Sequence, residues 1–462
     1  MEFRTEKDVL GEVKVPVDAY WGANTQRAIE NFNISGKRFP TVFILSLAEL
    51  KKACVQANRE LKLIKEGDYE AILAAIDEII LEKKLLDQFP VDVFQSGSGT
   101  QTNMNMNEVL ANRANEILGH LLGKKYPVHP NDHINMGQSS NDVIPSAMHI
   151  STIHLLKEKL IPALDTITSF LGKKIREFEG IIKVGRTHLQ DAVPIPLVME
   201  FDVYRTQLQR AKAEIKRVLN DLSYIPIGGT AVGTGLNTHG EFASLVVANL
   251  TKITEVAFKI KSTKAEDIAS HNTLVQVSSR LRSIALSAFK MANDIRWMGS
   301  GPRAGLSELI LPQNEPGSSI MPGKINPTQS EMLIQVAIQV IGNDATITQA
   351  EAHGSILDLN VCKPLMIYNL LESIELLSNG ITSFAENCLS DLKVNEKHIN
   401  SQLDSLLMTI TRLTPIIGYD KCAQIAQKAY REGKTIKEVI LEEKIKIKGN
   451  LDELLDPKNM VG

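Results

Sequence analysis

The 462-residue chain has only four cysteines, Cys54, Cys362, Cys388 and Cys422, widely spaced and with no C-x-x-C pair. That spacing argues against a zinc site or a disulfide framework and leaves reduced thiols in the core as the simplest reading. There is no excess of basic residues either: 51 Lys and Arg stand against 54 Asp and Glu, for a net charge of −3. A nucleic-acid partner is therefore not expected. No apolar run approaches the roughly 18 residues of a membrane-spanning helix, and the opening MEFRTEKDVLGEVKV carries no signal-peptide core. A cytoplasmic chain without membrane contact is expected, large enough for two or three domains and a sizeable core without metal or disulfide.

Apolar periodicity is abundant. Leu274, Val277, Leu281, Ile284, Ala288, Met291, Ile295 and Met298 recur at steps of three and four, the stripe of one long helix. A second stripe runs through Phe201, Tyr204, Leu208, Ala211, Ile215, Val218 and Leu222. The third, Ile153, Leu156, Leu160, Ala163, Ile167 and Phe170, has Pro162 within it as an expected kink. Leu333, Val336, Val340 and Ile347 make a fourth, interrupted by the polar Asn343. Helices of about 20 to 30 residues can bury so narrow a stripe only against similar rods, so the pattern predicts a bundle that continues across subunits into a homo-oligomer.

The flanks differ. Residues 1–139 mix short helical patterns with loops, and GEVKVPVDAYWG has the pattern of extended chain and turns. The tail after 396 holds the turn-like TPIIGYD and a helical AQIAQKAYREGKTIKEVILEE. Three domains are expected: a mixed, mostly helical one over 1–139, a central long-helix bundle over 140–395 and a small helical one over 396–462.

Between two helical patterns lies GSSIMPGKINPTQSE, residues 317–331. It fails as a Walker phosphate loop. Five residues rather than four separate Gly317 from Gly323, and Ile325 follows Lys324 where a metal-binding hydroxyl would be needed. GGTAVGTG, from residue 228, likewise lacks the order and strand context of a dinucleotide site. The end of the loop instead has the form of a helix start, with Asn326 as N-cap, Pro327 at the first helical position and Gln329 as capping-box partner. A lysine delivered to a helix N-terminus makes a carboxylate site. Three more segments have the same design: GSGTQTNMNMNEV from residue 97, HPNDHINMGQSSND from residue 129 and GRTHLQDAVPIP from residue 185. Each alone is an ordinary capped loop; four together suggest donor-rich helix ends converging on one small polyanion.

These segments resemble the fumarase and aspartase superfamily over nearly the whole chain. GTQTNMNMNEV, HPND, QSSND, VGRTHLQDA, GGTAVGTGLNTH, GSSIMPGKINPTQSE and GYDK are most similar to class II fumarases. Aspartases usually carry Ala at the position of Gly323 and Thr at that of Ser140. The resemblance implies a mainly α, three-domain fold whose central helices form a shared core in a homotetramer, with each active site built from three subunits. It implies neither metal nor organic cofactor. The implied reaction is the reversible hydration of fumarate to L-malate in the tricarboxylic acid cycle, through an aci-carboxylate intermediate.

By the same resemblance Ser318 is the base, and His188, partnered by Glu331, the acid that protonates the departing hydroxyl. Lys324 and Asn326 stabilise the carbanion. Ser98, Gly99, Thr100, Ser139, Ser140, Asn141, Thr187 and Ser319, with Lys324 and Asn326, hold the substrate carboxylates. His129, Asn131 and Asp132 resemble a second, peripheral dicarboxylate site, although a helix-capping turn is an equal reading of HPND. Val198 and Met199 stand where relatives commonly have Gly and Gln, Gly137 replaces a usual Ser and Gly240 a usual Pro; none of these removes a proposed catalytic group. An aspartate ammonia-lyase and a catalytically silent bundle protein are the two rival readings, separated by assays with L-malate and L-aspartate.

Overall fold

The computed structural model describes residues 2–461. The expected long helices form. On Asn272–Met298 all eight stripe residues are at most 4 % exposed. On Leu197–Leu222 the stripe is buried except for Ala211, which is half-buried. On Thr328–Gly354, Leu333, Val340 and Ile347 are buried and Val336 is half-buried. The polar interruption at Asn343 is satisfied: its amide donates to Glu372 Oε2 at 2.8 Å and Ser373 Oγ at 3.0 Å. Burial thus costs this side chain little, because its N–H groups are re-paired.

A further long helix, Lys363–Phe384, lies outside the four stripes read from the sequence. Its Ile367, Leu370, Ile374, Leu377, Ile381 and Phe384 are buried at steps of three and four. The third stripe runs through two α-helices, Ser140–Leu155 and Ile161–Glu177, joined by the π-helical turn Leu156–Leu160. Pro162 acts there as expected but through this device. Proline has no N–H and its ring crowds the carbonyl four residues back, and a wider turn accommodates both. Past the turn the buried position is Leu171, while Phe170 is half-buried.

Residues 1–139 hold longer helices than the short patterns expected, among them Thr41–Glu60 and Thr100–Ile117. The extended start is a hairpin, Phe3–Asp8 paired antiparallel with Gly11–Pro16, with Phe3 opposite Pro16. In the tail the single helical stretch expected over AQIAQKAYREGKTIKEVILEE is two helices, Tyr419–Glu432 and Ile436–Glu442. Gly433 ends the first in a left-handed conformation, φ +64°, and Thr435 starts the second with a capping box to Glu438. Both signals are local and outweigh the continuing apolar period.

The chain forms two compact units. One comprises residues 1–162, 211–285 and 338–378, the other 163–210, 286–337 and 379–462. Their limits fall inside the long helices, so each of these helices contributes residues to both units. In the first unit the Thr41 helix packs on Glu66–Ile80, Ser140–Leu155 and Phe242–Thr254. In the second, Val184, Ile399, Leu403 and Leu406 form one core cluster and the two tail helices another. Cys54, Cys388 and Cys422 are buried thiols. Among the described residues no helix is long and apolar enough to cross a membrane.

Because Leu281 and Ile284 are both fully buried on the Asn272 helix, Leu281→Ala should cost about 2–5 kcal/mol and Ile284→Val about 0.5–1.5 kcal/mol. Urea denaturation followed by far-ultraviolet dichroism reads both; equal effects would mean that the stripe is not the packed seam.

Candidate active site

In the first unit three expected segments meet. The loop before Thr100–Ile117 is fixed at Gly97, where a Cβ would lie 1.5 Å from Val361 O, and Lys363 N donates to Gly97 O at 3.0 Å. Gly99 takes φ +77°, and a Cβ there would press Ile144 at 3.0 Å. Only glycine combines that backbone with that contact. The turn lines up hydroxyls: Ser98 Oγ lies 2.7 Å from Thr100 Oγ1, which lies 3.0 Å from Ser140 Oγ.

Ser139 caps the Ser140 helix. Its Oγ accepts from Asn141 N at 3.2 Å, and its own N–H donates to Asp142 Oδ1 at 2.9 Å. Asp142 Oδ2 accepts from Gly228 N at 3.0 Å and Thr230 N at 2.9 Å, and Asn141 Nδ2 donates to Ala231 O at 2.8 Å. Burial pushes the Asp142 carboxyl up to about 6, against the opposing pull of those N–H bonds and of Lys51. Ser98, Thr100, Ser139, Ser140 and Asn141 are therefore brought together at two helix N-termini, where the helix dipole and free N–H groups favour an anion.

The HPND segment is a π-helical turn, Pro130–Ile134, capped by His129, whose Nδ1 accepts from Asn131 N at 3.2 Å and Asp132 N at 3.3 Å. Burial lowers the pKa of His129, so the ring remains a neutral acceptor there. His129 and Asn131 also line a cavity of about 680 Å³ with Lys7, Arg27 and Lys125. Asp8, paired with Arg27 at 2.7 Å, and Glu108 line the same cavity, so capping and a mixed-charge pocket with two further lysines coexist at this turn.

In the second unit, GRTHLQDAVPIP runs directly into the Leu197–Leu222 helix as expected, but Arg186, Thr187 and His188 do not lie at that helix end. It is part of a β-hairpin, Ile182–Thr187 paired with Gln190–Pro196. His188 and Leu189, with φ +56° and +59°, are its two-residue turn, the backbone of a type I′ hairpin. Pro194 and Pro196 withhold the N–H groups a helix would need. Thr187 and His188 are exposed at the tip. The base of the hairpin is anchored by buried charge. Lys183 Nζ lies 2.9 Å from Glu200 Oε1 and 3.1 Å from Glu308 Oε2, and Arg186 Nη1 lies 2.6 Å from Glu308 Oε1. Glu308 is fully buried.

The loop GSSIMPGKINPTQSE closes on itself. Gly317 N donates to Lys324 O at 3.1 Å, and a Cβ on Gly317 would stand 2.2 Å from that oxygen. Asn326 Nδ2 donates to Gly317 O at 2.5 Å. The expected cap is thereby corrected. The helix starts at Thr328, Asn326 clasps the loop, and Gln329 Oε1 accepts from Ser383 Oγ at 3.0 Å. Ser318 Oγ accepts from Ile320 N at 3.2 Å and Met321 N at 3.0 Å. Two N–H groups aimed at one hydroxyl oxygen favour its ionised form. Ser319, Lys324 and Glu331 are exposed. Among the described residues no hydrogen bond joins His188 to Glu331.

A lyase family model matches residues 11–342, and a model of the fumarase C C-terminus matches residues 410–462. A class II fumarate hydratase of Nitrosomonas europaea is 47 % identical over 99 % of both chains. The chain belongs to the class II fumarate hydratase family. A mitochondrial fumarate hydratase of Rhizopus oryzae is 48 % identical over 100 % of this chain and 93 % of its own. The crystal structure of class II fumarase from Schistosoma mansoni superimposes with a TM-score of 0.96 at 40 % identity, over 99 % of each chain. The mainly α fold of the family is thus the fold of this chain.

Sequence reasoning passed over the anchors. Asp142, Lys183, Arg186 and Glu308 are absent from the site residues that the sequence predicts. The signal for Lys183 is a charged residue within an otherwise apolar strand, IKV. Glu308, 122 residues further on from Arg186, has no local signal. Lys183→Met removes a partner of a fully buried carboxylate, so it should lower stability by about 3–5 kcal/mol, read as the shift in urea denaturation. A change below about 1 kcal/mol would show that Glu308 is adequately held by Arg186.

Proposed function

We propose that the protein catalyses the reversible hydration of fumarate to L-malate, with the sites and assembly set out below. The reaction follows from membership of the class II family. The observation that carries the residue assignment is the Ser318 loop, where a serine hydroxyl faces two backbone N–H groups inside a clasp made by Asn326 and Gly317.

In the dehydration direction Ser318 removes the proton next to a substrate carboxylate. The electron pair passes into that carboxylate and gives a dianionic aci-carboxylate. Preorganised donors are worth most where charge develops, and one such donor is worth about 10² to 10³ in rate. Lys324 and Asn326 take this role. His188, supported by Glu331, protonates the departing hydroxyl, since an imidazole passes protons both ways near neutral pH. Ser98, Gly99, Thr100, Ser139, Ser140, Asn141, Thr187 and Ser319 hold the carboxylates. The mutual bonding of Ser98, Thr100 and Ser140 supports a small, donor-rich pocket suited to a four-carbon dicarboxylate.

The working form is a cytoplasmic homotetramer whose sites combine residues of three subunits. Exposed apolar side chains along the long helices support it: Met199 is 54 %, Leu286 54 %, Trp297 51 % and Ile338 58 % exposed in the single chain. Large apolar side chains left exposed on long helices are the kind of surface that a partner helix covers. His129, Asn131 and Asp132 form a second dicarboxylate site, supported by the cavity that His129 and Asn131 line with Lys7 and Lys125.

With L-malate as substrate, ultraviolet absorbance of fumarate should appear, and L-aspartate should give none. Ser318→Ala should cut malate turnover by at least about 10²-fold while gel filtration still shows a tetramer. Turnover near that of the unmodified protein would remove Ser318 from the base role, and signal from aspartate alone would overturn the assignment.

A further inference from the structure

We propose that Asp142 is a positioning residue of the dicarboxylate site: its carboxylate ties the Ser139–Asn141 segment to the turn at Gly228–Ala231, and the two segments aim the substrate-facing groups as one piece. This rests on the reading of Ser139, Ser140 and Asn141 as substrate ligands given above.

A capping box asks only one bond of Asp142, the one from Ser139 N to Oδ1. The other oxygen is spent elsewhere, on Gly228 N and Thr230 N, in a segment 86 residues away along the chain. That turn needs an anchor. Thr230 has φ +57°, a left-handed conformation that a β-branched residue rarely takes. Gly228 has φ +79°, and a Cβ there would stand 2.9 Å from the Ala243 side chain. The turn in turn orients a substrate-facing group, because Ala231 O receives the amide of Asn141. Lys51, fully buried, braces the approach to Ser139 from the Thr41 helix, donating to Asn135 Oδ1 at 3.0 Å and Gln138 Oε1 at 2.9 Å.

Every donor to Asp142 is an N–H, so both oxygens accept, and the anion, which has no O–H of its own to place, meets that demand best. Stability alone does not explain keeping it. Burial raises the folded-state pKa above that of the unfolded chain. The folded state therefore holds this proton more tightly, and the contribution of Asp142 to stability falls as pH rises from about 4 through 6. A buried anion kept against that cost is characteristic of a functional site.

Asp142→Asn places an NH₂ group against one of the N–H donors with almost no change in volume. It should raise the KM for L-malate about tenfold or more and leave kcat within about threefold, because ligands disordered equally in ground and transition states weaken uniform binding. Far-ultraviolet dichroism should be unchanged. Ser140→Ala, assayed in parallel, separates the two levels of the inference. A raised KM in Ser140→Ala with an unchanged KM in Asp142→Asn overturns the positioning role alone, whereas an unchanged KM in Ser140→Ala overturns the site reading beneath it. Should Asp142→Asn fail to fold, amide exchange on the unmodified protein decides. Succinate, which cannot react, should slow exchange at Gly228 and Thr230 together with Ser139–Asn141; protection confined to Ser139–Asn141 overturns the proposal.

Discussion

A carboxylate taken out of water must find N–H groups or cations on every side, because an unpaired charge in the interior costs several kcal/mol. Each unit of this protein uses that demand to fix a segment that carries proposed site residues. In one, Asp142 is enclosed by three backbone N–H groups from two segments distant in sequence. In the other, Glu308 is enclosed by Lys183 and Arg186, the two cations of the strand that leads to His188. The buried charge lies next to the proposed ligands Ser139–Asn141 in the one case and at the base of the hairpin that carries Thr187 and His188 in the other. Such anchoring restricts the turn without placing an apolar side chain in its polar mouth.

The Ser318 loop is held in another way. Its ends are drawn together by backbone and amide contacts among Gly317, Lys324 and Asn326, while Ser319, Ile320, Met321 and Lys324 between them are exposed. Few apolar contacts bind the middle of the loop, so it belongs to the low-stability end of the molecule, from which active-site lids are drawn. The proposed base, Ser318, stands just inside this clasp, where the closure point of the loop is fixed.

What the sequence made legible divides by range. The stripe from Leu274 to Met298 was readable because apolar period and helix geometry are one local rule. The same rule applies to Ile367 to Phe384, a stripe that was not among the four read. Local conformational preferences decided the corrections: Gly433 ended a helix whose apolar period continued, and the positive φ values of His188 and Leu189 put Thr187 and His188 at a hairpin tip instead of at the start of the helix that follows. Nothing local marks Asn326 as a clasp rather than an N-cap, since both uses suit an asparagine before proline. The residues of the donor cluster were found through resemblance and motif, and the structure shows Ser98, Thr100 and Ser140 in contact. Their anchors were not found, because a pair such as Arg186 and Glu308 exists only once the fold has closed the distance.

The hydroxyl cluster also limits what it can bind. Ser96, Ser98, Thr100 and Ser140 form a line of four hydroxyls joined by three contacts, at 3.2, 2.7 and 3.0 Å. Each hydroxyl carries one proton, and three contacts engage three of them, so one O–H remains for an incoming acceptor. Hydrogen bonds in series polarise one another, and the proton at the end of the line is a better donor than an isolated serine would offer. One strong neutral donor beside the N-termini of two helices suits a single carboxylate, whose charge is met by the helix ends rather than by an adjacent cation. Such a site is a poor match for a phosphate, which carries more charge and three acceptor oxygens.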